Sequence, residues 1–145
     1  MIFKSAHELV DLIKKKELSS VELLETLLKR VEQVNPDLNA VVTLDADRAM
    51  DKAKKADEAL SKGEDLGPLH GMPMTIKDAY SVEGVVSTGG NPSWKDYVPE
   101  KNAEAVQHLV DAGAIIFGKT NVPLNSADIQ SYNEIYGVTN NPWDL

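Results

Sequence analysis

Residues Gly113 to Thr120 have the spacing G-x-x-x-x-G-K-[ST], which is typical of phosphate-binding loops. In such a loop, four residues turn their backbone N–H groups around a phosphate, with a strand before the loop and a helix after it. Here the four central residues, Ala114 to Phe117, are an apolar run that predicts a buried strand, and Pro123 soon follows. Nucleotide binding through Gly113-Thr120 is therefore the weakest of the functions that the sequence leaves open.

The second candidate for a catalytic residue is Lys77, near the end of the run Gly71-Met72-Pro73-Met74-Thr75-Ile76-Lys77-Asp78. Apolar residues alternate along this run, which predicts a strand with Lys77 on one face. A lysine acts as a general base where burial disfavours its charged form, because the neutral amine accepts a proton. The residues alone favour the ordinary alternative, in which the ammonium group reaches solvent or pairs with Asp78.

Three hydroxyl side chains are candidates for a Ser–Lys dyad with Lys77. They belong to Ser87, Thr88 and Ser131. Hydrogen bonds within turns and loops explain such hydroxyls more often than nucleophilic catalysis does.

Histidines and aromatic residues are scattered along the chain. The histidines have no carboxylates at metal-ligand spacing, so we expect no zinc site at His7, His70 or His108. The aromatic residues of the middle and the tail either line a substrate entrance or lie partly buried: Trp94, Tyr97 and Tyr132.

The elements that must position these residues begin with two helices. Ser5 with Glu8, and Ser19 with Glu22, form capping-box patterns, and each precedes an apolar stripe at helical spacing. The second stripe stops near Asn35-Pro36, where proline disfavours continuation. The two elements predict a helical hairpin.

Strands and helices then alternate, which favours an α/β architecture. The predicted strands are Asn39 to Leu44, Met72 to Ile76 and Ala114 to Phe117, and the predicted helices run from Asp45 to Gly63 and from Asn102 to Gly113. Tyr80 to Pro99 predicts an irregular excursion, and Asn121 to Leu145 has little periodicity.

The composition describes one acidic globular chain. Its 145 residues are 42% hydrophobic and 26% charged, with a net charge of -8 that repels nucleic acid. This length fits one domain or part of one. Cysteine is absent, which excludes disulfides and is compatible with a reducing compartment. Because the sequence has no signal-like start and no apolar run of about 20 residues, we expect a cytoplasmic protein with no membrane partner.

Four blocks, taken together and in order, resemble the N-terminal part of the amidase signature family. They are His70 to Asp78, Ser87 to Gly90, Gly113 to Asn121 and Tyr136 to Asp144. The resemblance covers nearly the whole chain and implies an α/β fold in which helices pack on an incomplete mixed sheet. It also implies that residues 1-145 are a single incomplete domain, and it explains the phosphate-loop spacing as a helix-to-strand junction.

The chemistry implied by this resemblance is amide C–N bond hydrolysis by a Ser, cis-Ser and Lys triad. Lys77 is then the catalytic lysine, which activates the nucleophile through the intermediate cis-serine. In the family both serines follow the block that matches Asn141-Pro142-Trp143, so we expect the chain to lack them and to be inactive alone. Leu124-Asn125-Ser126 stands where members usually have an acidic residue and an aromatic, so the chain departs from the family pattern after the Lys119 strand.

The leading interpretation is thus an N-terminal piece of an amidase or of the closely similar glutamyl-tRNA amidotransferase A subunits. Its partner would be a small-molecule amide, or glutamine, with no cofactor and no metal. The alternative is a non-catalytic binding or assembly module. Since an incomplete sheet leaves apolar surface and unpaired edges in water, we also expect self-association.

Overall fold

The computed structural model describes residues 3–145, in which helices and short strands alternate. The helices are α1 (Ala6–Lys14), α2 (Ser20–Leu38), α3 (Ala46–Ser61) and α4 (Glu104–Asp111). The strands are β1 (Val41–Leu44), β2 (Pro73–Lys77), β3 (Ile115–Thr120), β4 (Tyr132–Asn133) and β5 (Gly137–Val138). This order confirms the α/β class predicted from the sequence.

Local capping interactions begin the first two helices. Ser5 and Ser19 are the N-cap residues of α1 and α2, and each forms a reciprocal capping box with the glutamate three residues later. Both predicted helix starts are confirmed because a capping box depends only on residues within one turn.

Helix α2 continues past its predicted stop, through Pro36 to Leu38. Proline in the last turn lacks an N–H donor, and two asparagines supply hydrogen bonds where the helix ends. Asn39 adopts a left-handed conformation with φ of 53° and donates its N–H to the Asn35 carbonyl at 2.7 Å. The Asn35 side chain accepts the N–H groups of Ala40 and Val41 at 2.9 and 2.8 Å, which joins the end of α2 to β1.

The main sheet has the order β1-β3-β2 and is mixed. Central strand β3 is antiparallel to β1 and parallel to β2. It extends to Thr120, beyond the predicted end at Phe117, so Gly118 and Lys119 belong to the strand. Glycine is required at position 118 because a Cβ atom there would lie 2.7 Å from the Thr43 carbonyl oxygen of β1.

Helices and the irregular excursion cover the two faces of this sheet. Ile115 and Phe117 pack against α2 and the buried alanines of α3, and alanine allows close packing there. Ile76 and Ile116 pack on the other face against Val106 of α4 and two valines of the excursion. Helix α1 packs with the start of α2 and with Met72.

The excursion and the tail are mostly irregular, as predicted. The excursion contains one short 3-10 turn, Pro92–Trp94, and the tail contains another, Leu124–Ser126, before the small β4–β5 hairpin. Among residues 3–145, no helix combines the length and hydrophobicity that crossing a bilayer requires.

Candidate active site

Lys77 is the last residue of β2, and its side chain is exposed. Its backbone lies opposite Thr120 of β3, and its carbonyl oxygen accepts the Tyr80 N–H at 3.1 Å, where the chain turns away from the sheet. Within residues 3–145 the ammonium group of Lys77 makes no hydrogen bond or ion pair, and the neighbouring Asp78 pairs with Lys119 instead. Lys77 is therefore presented at a strand end without a protein partner.

Asp78 is buried and links three segments of the chain. Its Oδ1 lies 3.0 Å from the Nζ of Lys119 in β3, and both side chains are fully buried. Thr88 donates its N–H to the carboxylate at 3.2 and 3.1 Å and its hydroxyl to Oδ2 at 2.5 Å. A buried carboxylate needs such donors and a counter-charge to replace water. The end of β2 is thereby tied to β3 and to the loop Ser87–Gly90.

Lys119 uses all three of its ammonium donors inside the fold. Besides Asp78, Nζ donates to the Ser87 hydroxyl at 2.7 Å and to the Tyr80 carbonyl oxygen at 2.9 Å. Burial lowers the pKa of the Lys119 ammonium below its ordinary value, and the charge and hydrogen bond of Asp78 oppose that shift. This lysine, the one that the phosphate-loop pattern contains, has a structural ion-pair partner.

Two of the three hydroxyls considered as nucleophiles have other partners than Lys77. Ser87 binds Lys119 and donates to the Val85 carbonyl at 3.1 Å, and Thr88 binds Asp78. Within the described part of the chain, Ser131 forms no hydrogen bond with Lys77 either. Neither Ser87 nor Thr88 therefore forms a Ser–Lys dyad with Lys77, because both hydroxyls are buried in the network around Asp78.

A shift in strand register decides which residues face each other here. Met74 lies opposite Ile116, but Thr75 lies opposite Gly118, so β3 has one extra residue at this point. As a result Ile76 lies opposite Lys119, and Lys77 lies opposite Thr120. Since facing residues of paired strands share a sheet face, Lys119 lies on the face of Ile76, and Lys77 lies on the other.

The glycine pair of the second block wraps around Asp78. Gly89 and Gly90 have φ of 59° and 70°, values that favour glycine. The Gly89 N–H donates to the Asp78 carbonyl at 3.1 Å, and a Cβ atom at Gly90 would lie 3.0 Å from the Val122 carbonyl oxygen. Three of the four blocks, separated along the chain, therefore meet at the carboxyl ends of β2 and β3.

The fourth block is tied to the same region by asparagines. Asn121, directly after β3, donates through Nδ2 to the Gly137 carbonyl and the Thr139 hydroxyl at 3.1 and 3.0 Å. Asn133 donates to the Asn121 Oδ1 and the Val122 carbonyl, both at 2.8 Å. Because these side chains are largely buried, the β4–β5 hairpin is fixed beside the end of β3.

The turn Leu124–Ser126, which departs from the family pattern, has two non-glycine residues with positive φ. Asn125 and Ser126 both have positive φ, 51° and 60°. The Asn125 N–H donates to the Gly89 carbonyl at 2.9 Å, so the turn is anchored to the glycine pair.

The three aromatic candidates are about half exposed. Trp94, Tyr97 and Tyr132 have exposed fractions of 53%, 50% and 46%. Tyr132 borders a cavity of about 270 Å³ together with Gly90 and Leu124. Among the three, Tyr132 thus borders a cavity beside the glycine pair, and Trp94 and Tyr97 do not line that cavity.

The central residues of the phosphate-loop pattern and His70 are buried within the fold. Ala114 to Phe117 are buried, as predicted, and Ile115 to Phe117 begin β3, so the backbone of these three residues is part of the sheet. His70 is fully buried, with Nδ1 accepting the Leu66 N–H at 2.9 Å and Nε2 lying 3.0 Å from the Ala56 carbonyl. Residues 3–145 contain no cluster of three His, Asp or Glu side chains that would hold a metal ion.

Sequence reasoning missed the pair formed by Asp78 and Lys119. A signal was present, because a lysine inside an apolar strand requires a buried acidic partner. The sequence alone did not single out that partner.

Comparison with known proteins places this geometry in a family. The family model for Amidase matches residues 22–145. The A subunit of glutamyl-tRNA(Gln) amidotransferase from Thermoanaerobacter pseudethanolicus is 39% identical over 139 residues, which is 96% of this chain and 28% of that protein.

Solved structures agree with that match. A fatty acid amide hydrolase superimposes with a TM-score of 0.92 and 29% identity over 98% of this chain and 25% of that one. A bacterial aryl acylamidase of the amidase signature family superimposes with a TM-score of 0.91 and 33% identity, over 99% of this chain and 30% of that one. The chain thus spans less than a third of the length of these relatives, and it belongs to the Amidase family, that of the amidase signature enzymes.

Proposed function

We propose that residues 1–145 supply the catalytic lysine, Lys77, of an enzyme that hydrolyses amide C–N bonds. The observation that carries this proposal is the exposed ammonium group of Lys77 at the carboxyl end of β2, without a partner within residues 3–145. A general base must be able to reach the proton that it removes. An amine already held by a carboxylate would be less available, and the neighbouring Asp78 is held by Lys119.

The proposed chemistry follows the family triad. A neutral amine at Lys77, which requires that the remaining enzyme bury this exposed side chain, would take a proton from the cis-serine hydroxyl, and the cis-serine would in turn take the proton of the nucleophilic serine. We infer that both serines belong to a segment outside residues 1–145. A base without a nucleophile within hydrogen-bond reach has nothing to deprotonate, so we expect no turnover by this chain alone.

The open edge of β2 supports an incomplete domain. The Met72 carbonyl and the Asp78 N–H bond to β3, so the backbone groups of Thr75 and the N–H of Lys77, which alternate with them, point to the opposite edge. No strand of residues 3–145 pairs with that edge. We propose that a strand of the remaining enzyme pairs there and brings its serines to the side chain of Lys77.

The substrate class is an amide of small size, with no cofactor or metal. The relatives carry names such as aryl acylamidase and glutamyl-tRNA(Gln) amidotransferase. Hydrolysis of a simple acylamide and hydrolysis of glutamine are therefore the two forms of the proposal.

The test joins this chain to the part of the bacterial aryl acylamidase that lies beyond the matched region. Three samples are compared for release of an aromatic amine from an acylamide: the chain alone, the joined protein and its Lys77→Ala form. We expect turnover by the joined protein only. Lys77→Ala should abolish it with the fold retained, as judged by circular dichroism, because the triad loses its base.

The controls separate Lys77 from lysines in general. Lys95→Ala removes another exposed lysine, outside the proposed triad, and should leave turnover unchanged. Turnover by the chain alone that survives Lys77→Ala would refute both the division of the triad and the role of this lysine.

A binding or assembly module is the second candidate, and exposed apolar side chains in the tail favour it. Ile129 and Trp143 have exposed fractions of 105% and 94%. Such a module would keep the fold but would not restore hydrolysis when joined to the rest of an amidase.

A further inference from the structure

The side chains of Asp78, Ser87, Thr88 and Lys119 form a connected hydrogen-bonded cluster, called here the buried clamp. We propose that Lys119 is a positioning residue for Lys77 and that it acts through this clamp. The inference rests on the proposed function, because it gives Lys119 a role in the reaction assigned to Lys77.

The clamp immobilises the backbone that follows Lys77. The Asp78 N–H donates to the Thr120 carbonyl at 2.9 Å, and the Asp78 carbonyl accepts the Gly89 N–H at 3.1 Å. Lys119 holds the Asp78 carboxylate at 3.0 Å and the Tyr80 carbonyl at 2.9 Å. The segment at which the chain leaves β2 is thus fixed through both backbone and side chain.

The register shift puts the clamp and Lys77 on opposite faces of the sheet. Without the extra residue in β3, Lys119 would lie opposite Lys77, three residues after the pair of Ile116 with Met74. Two ammonium groups would then share a face, where like charges repel. The observed register puts Lys119 beside Ile76 and Asp78, so its charge is neutralised on the far face.

A fixed strand end determines the position of a catalytic base as well as contributing to stability. The Lys77 side chain has several rotatable bonds, and its only anchor within residues 3–145 is its own backbone. Displacing a catalytic group by about 1 Å can lower a rate by about 100-fold. We therefore infer that the clamp directs Lys77 and that its loss impairs the chemical step more than substrate binding.

The first experiment tests the clamp in the chain itself, without any turnover. Amide hydrogen exchange is compared between the native chain and Lys119→Met, which removes the charge and keeps an unbranched apolar stem. We expect faster exchange at the Asp78 and Gly89 amides and unchanged exchange in α1. The matched control, Lys101→Met, removes an exposed lysine and should change neither.

The second experiment measures kinetics in the joined protein. Lys119→Met is expected to lower kcat by about tenfold to 100-fold with KM nearly unchanged, because binding groups are retained while the base is misplaced. Lys101→Met should have the kinetic constants of the unsubstituted joined protein.

A neutral double variant separates positioning from stability. Lys119→Met combined with Asp78→Asn leaves no lone buried charge, so resistance to denaturant should recover relative to Lys119→Met alone. The bonds from Lys119 to Ser87 and Tyr80 stay absent, so kcat should remain low. This variant also serves if Lys119→Met alone does not fold.

Failure of the positioning role and failure of the proposed function give different results in these experiments. Unchanged Asp78 exchange in Lys119→Met, or recovery of kcat together with stability in the double variant, would overturn the positioning role. If the unsubstituted joined protein has no turnover, the proposed function fails, whereas the exchange result still shows whether the clamp exists.

Discussion

At the scale of single residues, the ion pair of Lys119 and Asp78 differs from the other ion pairs within residues 3–145, because both of its side chains are fully buried. The pair of Lys62 and Glu58 on α3, by contrast, lies mostly in solvent. Removing one partner of a buried pair leaves an uncompensated charge in a medium that solvates it poorly. Removing one partner of an exposed pair leaves a charge that water solvates.

We predict that Asp78→Ala lowers the free energy of unfolding by about 3–5 kcal/mol, because the Lys119 ammonium then loses its counter-charge. Denaturant unfolding followed by circular dichroism measures this change. Lys62→Ala is the matched control and should have little effect. Equal effects of the two substitutions would show that the buried pair contributes no more than a surface pair.

At the scale of elements, helix α1 depends on a capping box that is sensitive to pH. The Ser5 N–H donates to the Glu8 carboxylate at 2.8 Å, and the Glu8 N–H donates to the Ser5 hydroxyl at 3.3 Å. Hydrogen bonds from the Ser5 backbone and hydroxyl and the charge of Lys4 lower the pKa of Glu8 below its ordinary value of 4.5. The ionised form of Glu8 is thus favoured in the folded chain.

We predict that Glu8→Gln destabilises the chain at neutral pH and that this difference disappears in acid. A lowered pKa in the folded state stabilises it fully above about pH 4.5, and the stabilisation is lost as the pH falls through the lowered value. Unfolding of both proteins between neutral pH and about pH 3 measures the difference. In a Ser5→Ala background the hydroxyl is lost while the backbone N–H of residue 5 remains, so the pH dependence of this difference should become smaller; an undiminished dependence would mean that the Ser5 hydroxyl does not contribute to it.

At the scale of the whole molecule, the described surface contains both open strand edges and large exposed apolar side chains. In the three-stranded sheet, β1 and β2 each have one edge without a neighbour among residues 3–145. Trp143 and Leu145 are mostly exposed, and so is Ile129. Such edges and apolar side chains favour association with another polypeptide.

We predict that the isolated chain forms dimers or larger species, because pairing of two copies would cover edges and apolar surface that the rest of an amidase would otherwise cover. Sedimentation over a range of concentrations measures this. Joining the chain to the remaining part of a relative should reduce the association. A strictly monomeric chain that unfolds cooperatively would count against an incomplete domain.

The sequence by itself determined the features that depend on neighbouring residues. The two capping boxes, the alternation of helix and strand, and a buried strand that contains Ile115 to Phe117 follow from patterns within a few residues. The same local reasoning separated an apolar strand from a phosphate-binding loop, although the spacing of Gly113 to Thr120 is compatible with either.

Only the tertiary structure decided where the polar side chains meet. Helix α2 passes through Pro36 and ends at Leu38, where Asn35 and Asn39 supply hydrogen bonds that the local rule for proline does not include. Asp78 binds Lys119, 41 positions further along the chain, rather than Lys77. One extra residue in β3 sets this choice. A shift of one residue in the strand register moves every following side chain to the other face of the sheet. The register is fixed by packing across the sheet rather than by any local pattern.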